Sequence, residues 1–502
     1  MRSVRKLHGM RVVFGLLIFA ALPMAGFAEA RPAAQVADAG RTIPALMVSD
    51  IHFDPLHDPG KIKQLVDAPV SQWNSILSAA PSPNQQQAFT QLQETCRARG
   101  VDTPYGLLLS SLQAMRAQLP DAQFMTVSGD LLVHSFGCRY QTLLPQSTHA
   151  EYQAFVLKTL SFVMQELRAA YPAIPIYVAL GNNDSACGDY RFDTRSEFLF
   201  RTGRILAEGL PAAQRQQALK MFDTGGYYSV TMAAPMRDTR LIVVNDIFLS
   251  TNYSTCAGKS DPAAITAQMT WLREQLAQAR RLGQRVWVMG HIPPGIDPYA
   301  TVAGMKDVCM GAAPALFLSS DKLGELLAAN AGVIRLGIFA HTHMDEVRLL
   351  EPMDSGPHAL PEHGSAEKSP GGVALKIIPS ITPVDGNNPS FTVARINPAS
   401  AMLEDYQVIA ASNQTGVGTT WSQEYDFAQA YHQAEFSPAT VEEMIAAFHG
   451  DREAKTEASQ QYIRDYFVGN LSVALKPFWP LYACSLENYT AKAFTACVCS
   501  GN

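Results

Sequence analysis

Charge is scarce in this sequence. Asp, Glu, Lys and Arg make up 17% of its 502 residues, which excludes a charged coiled coil or a disordered, solvating chain. Basic excess is absent as well: 39 Lys and Arg stand against 45 Asp and Glu, for a net charge of −6. That balance excludes nucleic-acid backbone binding as the main activity. Beyond residue 30 no apolar run is long enough to span a bilayer. Zinc-finger cysteine pairs are missing, since Cys497–Val498–Cys499 is too tight a spacing, and no internal repeat is visible.

What is present begins with an export pattern. Arg2, Arg5, Lys6 and Arg11 precede the apolar run from Val12 to Leu22, and Ala28–Glu29–Ala30 offers small residues for cleavage. Residues 1–30 are therefore expected to be a signal peptide, and the mature protein to be periplasmic or secreted with no transmembrane segment. Hydrophobic residues make up 47% of the chain, enough for a substantial core, and the eight cysteines all follow the signal, as suits an oxidising compartment.

Five short apolar runs each open into Asp, Asn or His. Ala45–Val48 leads to Asp50 and His52, and Phe124–Val127 to Gly129–Asp130 with His134 four residues on. Ile176–Leu180 leads to Gly181–Asn182–Asn183, Val286–Met289 to Gly290–His291, and Ile334–Ala340 to His341–Thr342–His343. A lone Asp-x-His is usually structural and a lone Gly-Asp usually a turn. Five such transitions in one chain instead suggest a sheet whose strand ends converge on metal ions. Carboxylate, amide and imidazole donors together suit Zn²⁺, Mn²⁺ or Fe. Two ions roughly 3.5–4 Å apart can hold a phosphoryl group and lower the pKa of a bridging water.

Helices are expected over Tyr105–Leu119, His149–Ala170 and Ala263–Leu282, each before one of these strands. Residues 57–105 read as an irregular surface excursion rich in Pro and Gln. After His343 four strands follow, at 346–351, 372–378, 391–396 and 404–410, with a Gly/Pro/Ser-rich loop at 352–371. From about Thr420 the pattern is helical, ending in a Cys-bearing tail. The expected fold is α/β, a layered sandwich of two mixed sheets flanked by helices. The catalytic domain is placed at 31–415 and a C-terminal helical region at 416–502.

Asp50-x-His52, Gly129–Asp130, Gly181–Asn182, Gly290–His291 and His341-x-His343 resemble the signature of the calcineurin-like metallophosphoesterases. His134, the run Gly290–His291–Ile292–Pro293–Pro294–Gly295 and the Cys-bearing tail resemble its acid sphingomyelinase-like phosphodiesterase branch. The resemblance implies that Asp50, His52 and His343 hold one divalent metal and Asn182, His291 and His341 a second, with Asp130 bridging. It implies zinc first, manganese or iron next, and a metal-bridging water or hydroxide as nucleophile on a small-molecule phosphodiester. His134 matches a histidine near the leaving group. Asn183 stands where the family has a histidine beside the phosphate; it can donate a hydrogen bond but cannot act as an acid. Cys256–Cys309 and Cys484–Cys497 resemble family disulfides, with Cys96, Cys138, Cys187 and Cys499 left open.

Two further departures bear on substrate. The glycine usual before His-x-His is Ala340, and no saposin domain fits between the signal and Asp50, which weakens sphingomyelin as substrate. Gly-Asn-Asn-Asp also resembles fungal endopolyphosphatases, so a phosphomonoesterase or endopolyphosphatase-like hydrolase is the alternative. A metal-holding binding protein without catalysis is the alternative of another class, disfavoured because all seven ligands are present.

Overall fold

A computed structural model describes residues 42–352 and 371–500, so the expected signal peptide and most of the 352–371 loop lie outside the described residues. Two six-stranded mixed sheets form the centre. The first runs β12 (Trp421–Asp426), β11 (Met402–Ala411), β10 (Ser390–Asn397), β1 (Ile43–Val48), β2 (Met125–Val127) and β3 (Ile176–Val178). The second runs β4 (Tyr228–Thr231), β5 (Thr239–Val243), β6 (Arg285–Met289), β7 (Ile334–Phe339), β9 (Val373–Ile377) and β8 (Glu346–Leu350).

Parallel pairing is what gathers the site. β1 lies parallel to β2, with Leu46 opposite Met125, and β2 lies parallel to β3. In the second sheet β5, β6 and β7 are parallel in turn. The five ligand-bearing strands thus end at the carboxyl edges of their sheets, where α/β folds place ligands. Their near-continuous apolar sequences follow from burial on both faces. The sheets share one core: the rings of Phe124 and Trp287 lie 5.7 Å apart, and the Tyr228 hydroxyl exchanges hydrogen bonds with the backbone of Val178. The layered arrangement expected from the sequence is the one observed.

Two differences have physical causes. Residues 57–105 are not irregular; they contain helices at Ile62–Asp67, Trp73–Ser78 and Gln85–Thr95, with Trp73 and Phe89 buried. Pro59 opens a short 3-10 turn and Pro69 caps another, so prolines that read as breakers serve as starts. Next, Trp421–Asp426 is a strand rather than the beginning of the helical tail. It pairs antiparallel with β11 at the sheet edge, where its exposed, polar residues hide the alternation of a buried strand. The helices expected after it are present at Pro438–Gly450, Glu457–Tyr466, Trp479–Ser485 and Ala491–Cys499. Helices Glu197–Ala207 and Ala212–Gly225 were not foreseen.

The cysteines correct one expectation. Cys484–Cys497 forms, but Cys256 pairs with Cys187 and Cys309 with Cys499; Cys96–Cys138 completes the set. Cys187 follows Asn182, and its loop lies against the loop of Cys256: Phe192 donates to the Ser254 carbonyl and Cys256 to Asp193. Cys309 meets the C-terminal helix instead. Four disulfides are consistent with an oxidising, extracytoplasmic setting. Among the described residues no helix is long and apolar enough to cross a membrane.

Candidate metal centre and active site

The loops beyond β1, β2 and β7 pay for their geometry in backbone strain. Asp50, His52, Asp130, His341 and His343 all have positive φ, between 42° and 73°. Left-handed backbone is uncommon outside glycine and clusters where a side chain must be aimed. Gly129 (φ 98°) is required twice over, since a Cβ there would lie 2.7 Å from the Gly181 nitrogen and 2.8 Å from the His291 ring. A Cβ on Gly181 would collide with the Asp130 carboxylate. Ala340, by contrast, lies outside the left-handed region, so the missing glycine costs nothing.

The seven expected ligands converge. Asp130 Oδ2 lies 3.4 Å from His52 Nε2 and 3.3 Å from His291 Nε2, so one carboxylate oxygen faces both groups. On one side Asp50 Oδ1 stands 3.8 Å from His52 Nε2 and 3.4 Å from His343 Nε2. On the other, His291 Nε2 lies 3.0 Å from Asn182 Oδ1 and 3.3 Å from His341 Nδ1. A tetrahedral ion with bonds of about 2.1 Å sets its ligands about 3.4 Å apart. Both groups have that spacing. Asp50 Oδ1 and His52 Nε2 are buried with no hydrogen-bond partner, as ligand atoms aimed at a cation would be. The residues present therefore fit two divalent ions, whatever the metal.

Four of the expected ligands are braced from behind, mostly by residues the motifs did not reveal. His52 and His291 turn Nδ1 to the carbonyls of Leu132 and Ser128, each at 2.8 Å, which fixes Nε2 as the inward atom. Asp385 Oδ2 sits 2.9 Å from His343 Nδ1, and Asp189 accepts from the Asn182 amide at 2.7 Å, aiming its oxygen inward. Asp184 takes the backbone N–H groups of Gly181, Leu131 and Leu132, and Asp246 those of His291 and Ile292. Asp184 was legible as the last residue of Gly-Asn-Asn-Asp; Asp189, Asp246 and Asp385 carry no sequence signal.

The electrostatics are those of an acidic pocket. Burial pulls imidazoles down, yet the carboxylates of Asp130 and Asp50 outweigh it and raise His52 to about 9 and His291 to about 10. Burial resists ionisation of Asp130, but His291 and His52 hold its carboxyl well below the usual range. Burial drives Asp184 and Asp246 up to about 7, with the charge of Asp130 adding to the first. His341 is pushed down to about 3 by burial and by His291.

His134 and Asn183 are both at the site, in different roles. His134 stacks on His52 with centroids 3.8 Å apart, and its Nδ1 lies 2.8 Å from Asp102 Oδ1. Asn183 gives both its backbone N–H and its side-chain amide to Asp130, at 2.8 and 2.9 Å. It grips the shared carboxylate instead of reaching outward.

The layered sandwich, with the expected ligands at its strand ends, is the arrangement that the motifs imply. No family model matches the chain. It is 25% identical over 410 residues to acid sphingomyelinase-like phosphodiesterase 3b from Mus musculus, covering 78% of this chain and 77% of that one. It is also 25% identical over 378 residues to a cyclic GMP-AMP phosphodiesterase from Rattus norvegicus, covering 73% of each. Among solved structures, a dimetal phosphatase from Danio rerio aligns with 12% identity and a TM-score of 0.38, over 77% of this chain and 100% of that one. The resemblance to acid sphingomyelinase-like phosphodiesterases and the expected enzyme class, a metal-dependent phosphoric ester hydrolase, are borne out by the two phosphodiesterase relatives.

Proposed function

We propose that this chain is an exported hydrolase of phosphodiester bonds working with two divalent metal ions. The observation that carries the reading is the shared oxygen of Asp130, which faces two groups of donors at once. Asp50, His52 and His343 would hold one ion, Asn182, His291 and His341 the other, and Asp130 both. The mixed nitrogen and oxygen donors suit zinc, with manganese or iron as substitutes. When bound, two such ions polarise a phosphoryl oxygen and acidify a water.

The rest falls to the protein. Asn183 keeps Asp130 in place through two hydrogen bonds, and Asp385 and Asp189 fix His343 and Asn182. Asp102 orients His134 so that Nε2 faces the site, where it would give a proton to the leaving oxygen. The relatives' names favour a diester over a monoester. Export is supported by the N-terminal pattern and the four disulfides.

The test is a screen of purified, oxidised protein against a bis-aryl phosphodiester, a nucleotide, a phosphocholine ester and polyphosphate. Diester turnover that stops on chelation and returns with added zinc or manganese is expected. Turnover confined to monoesters or polyphosphate, or none with ions bound, would sink the proposal.

A further inference from the structure

We propose that Arg99 is a substrate-contacting residue that selects phosphoesters bearing a second anionic group on the leaving side of the scissile phosphorus. This rests on the reading of the site above.

The guanidinium stands at the mouth of the metal centre. Its Nη2 lies 3.2 Å from His134 Nε2 and its Nη1 3.5 Å from Asp385 Oδ1. Its charge also acts on Asp189 and Tyr190 beside Asn182, so it overlooks both halves of the donor set. Its side chain is 61% exposed. The contrast with Arg139 is direct: that guanidinium is fully buried and committed to Asp54 and Asp102. Arg99, largely exposed, can exchange these contacts for a new partner.

The backbone that carries Arg99 is anchored while its side chain reaches solvent. Three residues earlier, Cys96 is bonded to Cys138 in the helix that follows His134. Gln93 donates to the Gly100 carbonyl at 2.8 Å, and a Cβ on Gly100 would lie 2.5 Å from the Val384 carbonyl oxygen, so this loop is seated against the one bearing Asp385. Asp54 donates to the Thr103 carbonyl at 2.9 Å. An exposed guanidinium on an anchored loop presents a binding group at low entropic cost.

Its partner follows from chemistry. Arg99 donates to His134 Nε2, the atom that faces the leaving oxygen in the reading above. Nε2 accepts that bond on its lone pair, so the bond has to be given up and Nε2 protonated from solvent before His134 can serve the leaving group; the planar fork is then released beside that group. A phosphate there offers two oxygens at the fork's own spacing. A neutral alcohol offers no comparable acceptor. The substrate class is a phosphoester or phosphoanhydride that expels an anion, such as a nucleoside polyphosphate.

The test compares kcat/KM for adenosine triphosphate, in which every phosphoanhydride cleavage expels an anion, with that for bis(p-nitrophenyl) phosphate, whose leaving group carries no charge before it departs. Loss of one charge-assisted contact in Arg99→Met should lower the first roughly 10- to 100-fold more than the second. Arg99→Lys should recover part of the difference, and metal content per chain should match the wild type. Equal losses on both substrates, or loss of metal, would mean that Arg99 acts by positioning Asp385 and His343, and would overturn the proposal. So would a wild type that cleaves the bis-aryl ester and leaves the triphosphate untouched. Turnover of neither substrate would overturn the reading of the site itself, a separate and recognisable failure.

Discussion

His134 lies flat against His52, and its hydrogen-bond partners are Asp102 and Arg99. That geometry fits a proton donor better than a brace for the metal. General-acid help is worth roughly 10²–10⁴ in rate when the leaving alkoxide is strongly basic. His134→Ala should therefore impair an alkyl or nucleoside ester by that order and largely spare a p-nitrophenyl ester of the same phosphate, measured as kcat. Equal losses with metal content unchanged would assign His134 to holding the phosphate. At this scale the sequence was informative where residues act directly. All seven donors and His134 stand a few positions past apolar runs, so spacing exposed them. Asp102, Asp189, Asp246 and Asp385 were invisible because each works behind another side chain and reaches it from a segment that only folding brings near. Asn183 was read for what it cannot do, and the structure adds what it does: it clamps Asp130.

Strands and loops differ in how much of them could be foreseen. The parallel strands bury both faces, so they appear as unbroken apolar runs, and their ends mark the site. The Trp421–Asp426 strand sits at an edge with polar residues facing out, and left no such mark. Disulfide partners depend on which loops meet, and the pairing of Cys187 with Cys256 follows from contacts between two loops that strand order alone does not specify. Cys96–Cys138 closes a loop of 42 residues and ties the Arg99 loop to the helix after His134. Replacing both cysteines by serine should lower unfolding stability by about 2–4 kcal/mol in urea titrations. It should also lower kcat/KM for the anionic-leaving-group substrate, since the loop that presents Arg99 loses its anchor. Stability and kinetics both unchanged would show that the loop's other hydrogen bonds suffice.

At the scale of the whole molecule, separate elements converge on one site. Two sheets of mixed topology share a core and direct five strand ends to a single acidic pocket, in which six other donors gather around the Asp130 carboxylate. Left without cations, Asp50 and His52 would keep buried polar atoms unpaired, a costly state for a fold to maintain. The scarcity of charge elsewhere in the chain makes this concentration of carboxylates and imidazoles the more specific. The most direct test is the metal content of protein purified from an oxidising host and dialysed into metal-free buffer. Two divalent ions per chain are expected, with Asp130→Asn losing occupancy at both sites and His341→Ala chiefly at one. One ion or none per chain in a protein that hydrolyses phosphodiesters at full rate would contradict it.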